Sequence, residues 1–486
     1  MAIREYRNWI AGEWKQGTAS QDIHSPYSGD TVARMAQAEE TSAESALQAA
    51  HDAFVPFKKT SRYMRSRLLA GMAAKIGERR QEFVERIISE AGKPRMLSEI
   101  EVNRAIITFT IAGEETKRFG GDIVPVDIEP SGRNYSPAQA LWVARGPVLA
   151  ITPFNFPLNL AAHKVAPALA VGAPVIVKPP PQAPGCAILM AEIFETVARE
   201  ISDQTESIPL AALQVLSGPN ALIEKMVGDS RIATLSFTGS DKVGWMLQQK
   251  AIRKKVALEL GGNAAVIIHS DANLQRAAQR VAFGGFSYAG QTCISVQRVL
   301  VHESIAPNFE KLLLEEIRKL KVGDPFEKDT VVGPLIDQAA CDRLKSWILE
   351  SVKDGARQIL GGRVQGRMME PQVLSGVKPH HKLTTEEAFG PVLTIETYSD
   401  FEQALENVNR SKFGLQAGVF TDSSSRIRRS IDALDVGGVM INEVPTYRAD
   451  NMPYGGVKDS GLGREGVRYT MQDFCEIKTV VSWQGS

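Results

Sequence analysis

Residues 146–157 read GPVLAITPFNFP, an apolar run that ends in a turn fixed by two prolines. The run from Val148 to Thr152 is the first of five β-rich segments that alternate with helical stretches. The others are Pro174 to Lys178, Leu213 to Ser217, Ile232 to Phe237 and Lys255 to Glu259, and the helical stretches begin near Asn159, Gly185, Ala221 and Asp241. This alternation predicts right-handed βαβ crossovers and a parallel sheet buried on both faces.

Ligands of open parallel sheets gather at the carboxyl ends of the strands. In this chain those ends carry Thr152 to Asn155, Lys178, Gly218, Thr238 to Ser240 and Glu259. We therefore expect a binding site along this edge of the sheet.

A second alternation begins after Gly262. Its strand-like segments are Ala264 to His269, Val296 to His302, Leu415 to Thr421 and Gly437 to Asn442, and its helical segments are Asn273 to Ala289, Ile305 to Leu320, Asp337 to Asp354, Asp400 to Ser411 and Ser424 to Leu434. The predicted fold class is therefore α/β with two parallel-sheet domains, which suits a chain of 486 residues.

The flanking segments have a different character. Trp9, Gly12 and Trp14 indicate a short hairpin, and helical spacing predicts helices over Thr41 to Phe57, Arg62 to Ala91 and Pro94 to Lys117. Residues Gly121 to Arg145 alternate like two antiparallel strands. The last stretch, Phe474 to Trp483, alternates like an edge strand that pairs with this hairpin or with another subunit.

Composition argues against several classes of function. Lys+Arg 56 balances Asp+Glu 56, which disfavours general binding to nucleic acid or to an anionic membrane. Four widely spaced cysteines indicate neither a disulfide framework nor a zinc cluster and fit a reducing, cytoplasmic setting. The amino terminus lacks a signal peptide's apolar core, and the longest apolar run, Val165 to Val177, is too short for a membrane span. We therefore expect a soluble protein.

The only adjacent histidines are His380 and His381. Neighbours in sequence point in different directions on a helix or a strand, so we interpret this pair as solvated loop and predict no metal site.

Cys293 is the candidate nucleophile. It lies in GQTCIS, residues 290–295, among small and hydroxyl residues after a glycine-broken helical segment. A thiol attacks as thiolate, so a reactive cysteine needs a partly open pocket that stabilises the negative charge. The alternative is an inert buried thiol.

Two polar positions at the sheet edge suit a nucleotide. Ser240 follows a strand and opens a helix, where a hydroxyl, free backbone N–H groups and the helix dipole together favour a phosphate. Lys178 ends its strand before three prolines and is placed to bind ribose hydroxyls or a phosphate. The alternatives are a structural helix cap and a surface lysine, because residues 237–244 form neither a G-x-G-x-x-G motif nor a P-loop.

Two further residues suit acyl chemistry. Glu259 precedes Leu260, Gly261 and Gly262, so its carboxylate can approach a substrate closely and act as a base through water. Asn155 lies between two prolines and two phenylalanines, where a rigid amide donates to a developing oxyanion. A capping carboxylate and an Asx-turn are the alternatives.

Over nearly its whole length the chain resembles the aldehyde dehydrogenase superfamily. The resemblance rests on six motifs in the family's order: Pro153 to Pro157, Phe237 to Ser240, Glu259 to Gly262, Gly290 to Cys293, Glu387 to Pro391, and Pro453 to Gly456 with Ser460, Gly461 and Arg464. Each motif alone is weak, but together they are specific.

The resemblance implies NAD or NADP as cofactor, a small-molecule aldehyde as substrate and a homodimer or homotetramer. It implies a discontinuous cofactor domain (1–121 and 145–258), a catalytic domain (259–465) and an oligomerisation element (122–144 with 466–486). The implied cofactor-binding residues are Thr152, Lys178, Pro181, Gly218, Thr238, Gly239, Ser240, Gly244, Leu260, Glu387 and Phe389. Many NAD-preferring relatives carry a glutamate where this chain has Pro181, so we lean slightly toward NADP or dual use.

The resemblance also implies a mechanism. The Cys293 thiolate attacks the aldehyde, the Asn155 side chain and the Cys293 N–H hold the oxyanion, and water activated by Glu259 hydrolyses the thioester. A CoA-acylating relative is the nearest rival, although such relatives usually lack the carboxylate at Glu259. A cysteine hydrolase, or a non-catalytic binding or structural protein on this scaffold, would not reduce a dinucleotide.

Substrate identity is less constrained. His163, Arg104 and Arg448 are candidates to recognise an anionic aldehyde, and each has an ordinary surface or packing role as its alternative. Thr292 stands where some anion-selective relatives have arginine, which weakens the anionic case.

Overall fold

The N-terminal segment of the computed structural model, which describes residues 3–485, is built of short strands. They are β1 (Arg4–Tyr6), β2 (Asn8–Ile10), β3 (Glu13–Lys15), β4 (Ala19–His24) and β5 (Thr31–Gln37). The hairpin predicted around Gly12 is confirmed, because Trp9 pairs with Trp14 in antiparallel register. The β1–β5–β4 sheet was not predicted.

Four helices and a hairpin follow. They are α1 (Glu40–Lys59), α2 (Arg62–Glu78), α3 (Arg80–Ala91), α4 (Arg95–Arg118), β6 (Gly121–Val124) and β7 (Ala138–Ala144). The single helix predicted over Arg62 to Ala91 is wrong, since the chain turns at Arg79. The turn brings Phe83 and Ile87 of α3 into the same core as Leu69 of α2.

The predicted parallel sheet is present in the next segment. Its elements are β8 (Val148–Ile151), α5 (Asn159–Val171), β9 (Val175–Lys178), α6 (Gly185–Ile201), β10 (Leu213–Val215), α7 (Asn220–Gly228), β11 (Thr234–Thr238), α8 (Asp241–Lys250) and β12 (Lys255–Glu259). The strands lie in the order β12-β11-β8-β9-β10 with parallel pairing, and β2 and β3 extend one edge. Their carboxyl ends bring Thr152, Lys178, Thr238 and Glu259 to one edge.

The second half forms another sheet with its own core. Its elements are β13 (Ala265–Ile268), α9 (Leu274–Phe286), β14 (Arg298–His302), α10 (Ala306–Arg318), β15 (Lys321–Val322), β16 (Thr330–Val332), α11 (Gln338–Lys353), β17 (Arg357–Gly361), β18 (Val364–Gln365), β19 (Met368–Met369), β20 (Gln372–Ser375), α12 (Lys382–Thr385), β21 (Val392–Tyr398), α13 (Phe401–Asn409), β22 (Phe413–Gly414), β23 (Gln416–Phe420), α14 (Ser424–Ala433) and β24 (Gly438–Ile441). The order is β17-β20-β21-β14-β13-β23-β24, and β17 alone in it pairs antiparallel.

The C-terminal segment returns to the first sheet. It contains β25 (Val457–Lys458), β26 (Gly461–Leu462), α15 (Val467–Asp473) and β27 (Cys475–Val480). Strand β26 pairs with β12, opposite Glu259, and α15 buries Val467 and Met471 in the core of the first half. The predicted domain boundaries stay a prediction, and this return fixes the Arg464 region beside the predicted base.

Strand β27 pairs antiparallel with β7, as predicted for the hairpin, and β6 lies on the other side of β7. Ile123 and Ile477 of this small sheet are exposed. Among residues 3–485, no helix is both long and apolar enough to cross a membrane.

Candidate active site

A cleft of about 770 Å³ lies at the carboxyl edge of the first sheet, facing the second half of the chain. Most of the predicted site residues line it: Thr152, Asn155, Lys178, Pro181, Thr238, Gly239, Ser240, Glu259, Leu260, Cys293, Glu387 and Phe389. Gly218, Gly244, His163, Arg104 and Arg448 are not part of its lining. The three proposed reactive side chains therefore share a cavity with the proposed cofactor residues.

A tight turn presents Cys293 to this cleft. Tyr288 and Ala289 have left-handed backbone conformations at φ 55° and 52°, which non-glycine residues rarely adopt. At Gly290 a Cβ atom would lie 2.3 Å from the Gly390 carbonyl oxygen, so only glycine fits. The buried Gln291 amide anchors the turn by donating to the carbonyls of Tyr288 and Pro334.

The Cys293 thiol is half-buried, and its Sγ lies 2.8 Å from the hydroxyl of Tyr454. Burial raises the pKa of the thiol to about 12, although the Tyr454 hydrogen bond and the Arg448 charge oppose this rise. In the resting protein at neutral pH the sulfur therefore carries its proton, and ionisation depends on the groups around it.

Asn155 is held from both sides. Its side-chain Nδ2 donates to the backbone carbonyl of Gln291 at 3.0 Å. Its backbone carbonyl accepts from Lys93 Nζ, also at 3.0 Å. Because the amide nitrogen carries two hydrogens, one N–H remains for an oxyanion next to Cys293. Lys93 was not singled out from the sequence, since only the fold places it under this loop.

Glu259 ends β12 and is buried, with a relative exposure of 4%. Its Oε1 accepts from the Glu465 N–H at 3.2 Å, whereas Oε2 has no partner among the described residues 3–485. Burial and then the negative charge of Glu465 raise the pKa of this carboxyl well above its usual range. Such a raised pKa suits a general base, because a weakly acidic carboxyl binds the proton that it removes from water.

A buried ion cluster supports Glu259 from behind. Glu465 pairs with Lys164 at 3.0 Å and with Arg448 at 2.9 Å, and none of the three side chains is more than 6% exposed. Although burial opposes ionisation, these two cations lower the pKa of Glu465. One carboxylate thus balances two cations, which leaves an excess positive charge near Glu259 and Cys293.

The opposite part of the cleft has free donors suited to a nucleotide. Lys178 is buried, and desolvation lowers its pKa to about 8. Ser240 begins α8 without its side chain capping the helix, and the buried Thr238 hydroxyl lacks a partner within residues 3–485. These free polar groups, with the N-terminus of α8, fit ribose hydroxyls and a pyrophosphate.

Glu387 and Phe389 border the part of the cleft near Cys293. The Gly262 N–H donates to Glu387 Oε1 at 3.0 Å, and a Cβ at Gly261 would lie 2.4 Å from the same carboxylate. Arg343, which sequence reasoning missed, donates to the carbonyls of Glu387 and Ala388 and fixes this loop. No local pattern around Arg343 indicates this role, because α11 is distant in sequence from the motifs.

Pro181 lines the cleft near Lys178 and brings no carboxylate, as the sequence indicates. Glu224 lines the same cavity, but its carboxylate pairs with Lys250. Gly244 lies in α8, where a Cβ atom would come within 2.4 Å of Leu260. Because glycine has no Cβ, the helix can approach the end of β12.

The substrate candidates occupy an internal polar cluster. Arg104 and His163 both bind Asp450, at 2.7 Å and 2.9 Å. Burial, followed by the charge of Arg448, lowers the pKa of His163, and its Nε2–H donates to the Asp450 carboxylate. Both side chains are thus engaged by Asp450, which compensates the charge of Arg104.

Arg448 differs from these two, because its Nε is buried and has no partner among the described residues. Its guanidinium carbon lies 3.8 Å from the centre of the Tyr454 ring, which in turn contacts Cys293. Arg448 is therefore linked to the Cys293 sulfur through one intervening side chain, that of Tyr454.

His380 and His381 do not diverge as expected. Both Nε2 atoms approach Asp354 Oδ2, at 3.4 Å and 2.9 Å, so three ligand-type side chains converge. Lys378 pairs with the same carboxylate at 2.8 Å and competes with any metal ion for it. We therefore assign no metal ion to Asp354, His380 and His381.

The sequence model of the aldehyde dehydrogenase family matches residues 14–480. The 3-sulfolactaldehyde dehydrogenase of Priestia aryabhattai is 37% identical over 481 residues, covering 99% of this chain and 98% of that enzyme. The lactaldehyde dehydrogenase of Methanococcus aeolicus is 35% identical, covering 97% and 99% of the two chains.

Solved structures agree with this match. Aldehyde dehydrogenase 21 from Physcomitrella patens, in complex with the reaction product succinate, has a TM-score of 0.96 at 35% identity and covers 100% of this chain and 99% of its own. A glyceraldehyde-3-phosphate dehydrogenase from Methanocaldococcus jannaschii, complexed with NADP, has a TM-score of 0.91 at 34% identity and covers 96% and 100%.

The chain belongs to the aldehyde dehydrogenase family. It is an oxidoreductase that oxidises an aldehyde to a carboxylic acid with NAD or NADP. The fold class implied by the sequence resemblance is confirmed.

Proposed function

We propose that Cys293, Asn155 and Glu259 carry out the oxidation, and that the substrate is a short, polar aldehyde. The observation that carries the assignment is the shared cleft: the three side chains line one cavity with Lys178, Ser240 and Glu387. The first three supply acyl chemistry, and the others supply donors and an acceptor for a dinucleotide.

In the first step the Cys293 sulfur attacks the aldehyde carbonyl carbon and forms a thiohemiacetal. The free N–H of Asn155 Nδ2 and the Cys293 backbone N–H donate to the oxygen that becomes negative. Because Gln291 and Lys93 fix the Asn155 loop, these donors need little rearrangement when the charge develops.

Lys178 and Ser240 would hold the ribose and pyrophosphate of NAD or NADP, and Glu387 and Phe389 the nicotinamide end, where the cofactor supplies a hydride acceptor. Loss of hydride leaves the acyl group on Cys293 as a thioester. Glu259 then takes a proton from water, and the water oxygen attacks the thioester carbonyl carbon. The carbon–sulfur bond breaks with its electron pair on sulfur, the carboxylic acid leaves, and Glu259 releases its proton to solvent.

Glu259 favours hydrolysis over transfer to coenzyme A. Its unpartnered Oε2 is free to accept a proton from water, and Gly455 leaves room beside the carboxylate, since a Cβ there would lie 2.9 Å from Oε1. A dependence of product formation on coenzyme A would contradict this assignment.

The substrate proposal rests on the names of the relatives and on the charge near the sulfur. 3-Sulfolactaldehyde, glyceraldehyde 3-phosphate and lactaldehyde share a 2-hydroxypropanal skeleton, and the first two add an anion at carbon 3. The excess positive charge of Arg448 and Lys164 over Glu465 supports an anionic substituent. We therefore rank a three- or four-carbon anionic aldehyde first and neutral lactaldehyde second.

Two variants test the roles in catalysis. Cys293→Ala should abolish turnover, whereas Glu259→Gln should give a burst of reduced cofactor followed by slow deacylation, measured by stopped-flow absorbance. Equal, modest losses in both variants would contradict the roles. A panel of charged and neutral aldehydes, each with NAD and with NADP, ranks the substrates.

Three further assignments belong to this proposal. The cofactor domain is 1–121 with 145–258, and the catalytic domain is 259–465. The exposed sheet of 122–144 with 466–486 is the oligomerisation element of a homodimer or homotetramer, which mass measurement in solution tests. The four cysteines are free, which supports a cytoplasmic location.

A further inference from the structure

The Tyr454 hydroxyl is aimed at the proposed nucleophile. It lies 2.8 Å from Cys293 Sγ, and within residues 3–485 this sulfur is its hydrogen-bond partner. Tyr454 is 3% exposed, so its hydroxyl depends on a protein partner. A buried phenol hydroxyl keeps a partner because an unpaired one is costly, and here the partner is a reacting atom.

The backbone holds Tyr454 in this position. Its N–H donates to the Glu465 carbonyl at 2.9 Å, and the Glu465 N–H donates back at 2.6 Å, which forms an isolated antiparallel bridge. Glu465 also accepts from Arg448 and Lys164. The phenol is thus anchored to the same buried cluster that supports Glu259.

Arg448 places a positive charge over the Tyr454 ring. The guanidinium carbon is 3.8 Å from the ring centroid, a close cation–π contact. A cation on the ring face withdraws electron density from the phenol and makes its O–H a stronger donor. Burial nonetheless raises the pKa of Tyr454 well above its usual range, so the phenol keeps its proton and acts as a donor.

We propose that Tyr454 is a catalytic residue that donates its phenolic hydrogen to the Cys293 sulfur and stabilises the thiolate, with Arg448 as the positioning residue that polarises the ring. The inference rests on the proposed role of Cys293 as nucleophile. When the S–H bond breaks, the proton leaves to solvent in the cleft, the electron pair stays on sulfur, and the Tyr454 O–H bond remains intact.

The charges that face Cys293 explain why such a donor is needed. Glu387, before β21, and Glu259, at the end of β12, both disfavour a second negative charge beside them. Arg448 and Tyr454, from the segment between β24 and β25, favour it. Without the phenol O–H, Arg448 alone would oppose two carboxyl groups and the loss of hydration.

The test is the rate at which iodoacetamide alkylates Cys293 as a function of pH, with the modified residue identified by peptide mapping. The thiolate displaces iodide, so the rate reports the ionised fraction of the thiol. Tyr454→Phe removes only the hydroxyl and should lower the alkylation rate at pH 7 by about tenfold or more. The ratio of the two rates should stay constant between pH 6 and pH 9, because the thiol of both proteins titrates above this range.

Tyr398→Phe is the matched control. It removes another buried phenol hydroxyl, one that binds His269 and the Ile268 carbonyl in the second sheet, and it should leave the Cys293 alkylation rate unchanged. Thermal melting of both variants separates a local effect from unfolding. An unchanged alkylation rate in a folded Tyr454→Phe protein would overturn the proposal.

This test distinguishes failure of the Tyr454 proposal from failure of the proposed function, because alkylation requires neither aldehyde nor cofactor. If alkylated Cys293 still supports turnover, Cys293 is not the nucleophile and both proposals fail. If alkylation stops turnover but Tyr454→Phe keeps the wild-type alkylation rate, only the role of Tyr454 is refuted. Tyr454→Phe should also lower kcat/KM by the same factor as the alkylation rate, which a purely structural role would not produce.

Discussion

Lys93 and Glu101 form a buried ion pair, 2.6 Å long, whose two members hold opposite ends of the segment that carries Asn155. Lys93 Nζ also donates to the Asn155 carbonyl, whereas Glu101 Oε1 accepts from the N–H groups of Leu158 and Asn159 at the start of α5. The proposed oxyanion donor is therefore fixed by a buried ion pair that lies outside the lining of the cleft.

Replacing one member of this pair should damage both stability and catalysis. In Glu101→Gln the Lys93 ammonium is left in the core with a neutral partner, which costs about 3 kcal/mol of unfolding free energy. We also expect kcat to fall by about tenfold or more, because the amide has one acceptor oxygen and cannot hold both Lys93 and the start of α5, so the Asn155 loop loses an anchor. Thermal melting and steady-state kinetics check the two effects.

The control is Glu78→Gln, which removes an exposed carboxylate 3.5 Å from Lys75. A surface pair contributes about 0.5 kcal/mol, so melting and kcat should barely change. A normal kcat in a destabilised Glu101→Gln protein would show that the pair serves folding alone.

A pH-dependent stability is expected from Glu387. Burial, opposed by the Gly262 N–H, raises the pKa of Glu387 to about 7. The folded protein thus binds this proton more tightly than the unfolded chain does, so the carboxyl favours folding at low pH and loses that contribution as pH rises through about 7.

Glu387→Gln should remove this dependence. In the cofactor-free protein the variant should gain a few degrees in melting temperature over wild type at pH 8.5, and much less at pH 5.5. Melting curves of both proteins at the two pH values measure it. A difference between the proteins that stays constant with pH would show that Glu387 titrates alike in the folded and unfolded states.

The sequence predicted the first sheet and its binding edge well, because buried parallel strands are continuous apolar runs between clear turns. It missed β17, which is largely exposed and carries Arg357 and Gln358. It also missed β20 and β21, which are mostly buried but include the polar residues Gln372 and Thr394 in short runs. It also joined α2 and α3, since helical spacing continues through Arg79 and the turn is set by packing.

Within the candidate site, residue type and local sequence singled out Cys293, Asn155 and Glu259 as candidates, and the family resemblance supplied their roles. The groups that tune them were not predictable in this way. Tyr454 and Lys93 contact them only through long-range packing, and a lone tyrosine or lysine has no local signal. The roles of all five stay predictions until the variants are measured.

Cofactor choice should respond to position 181. Pro181→Glu places a carboxylate near the proposed ribose site, where it accepts from a 2′-hydroxyl and repels a 2′-phosphate. The KM for NADP should rise about tenfold or more relative to that for NAD. Pro181→Gln is the matched neutral control and should change the NADP to NAD ratio much less. Equal ratios in the two variants would place the ribose elsewhere.

We expect Arg448 to bind the anionic group of the substrate, because its buried Nε has no partner among the described residues. Arg448→Gln keeps a polar side chain but removes the cation, so kcat/KM for 3-sulfolactaldehyde should fall at least tenfold more than kcat/KM for lactaldehyde. Damage to the thiol or the fold lowers kcat/KM for both substrates alike, so it does not change the ratio of the two values. Arg104→Gln, whose cation is compensated by Asp450, should leave that ratio within about twofold of wild type. A ratio unaffected by Arg448→Gln would mean that the anion binds away from the Tyr454 side of the sulfur.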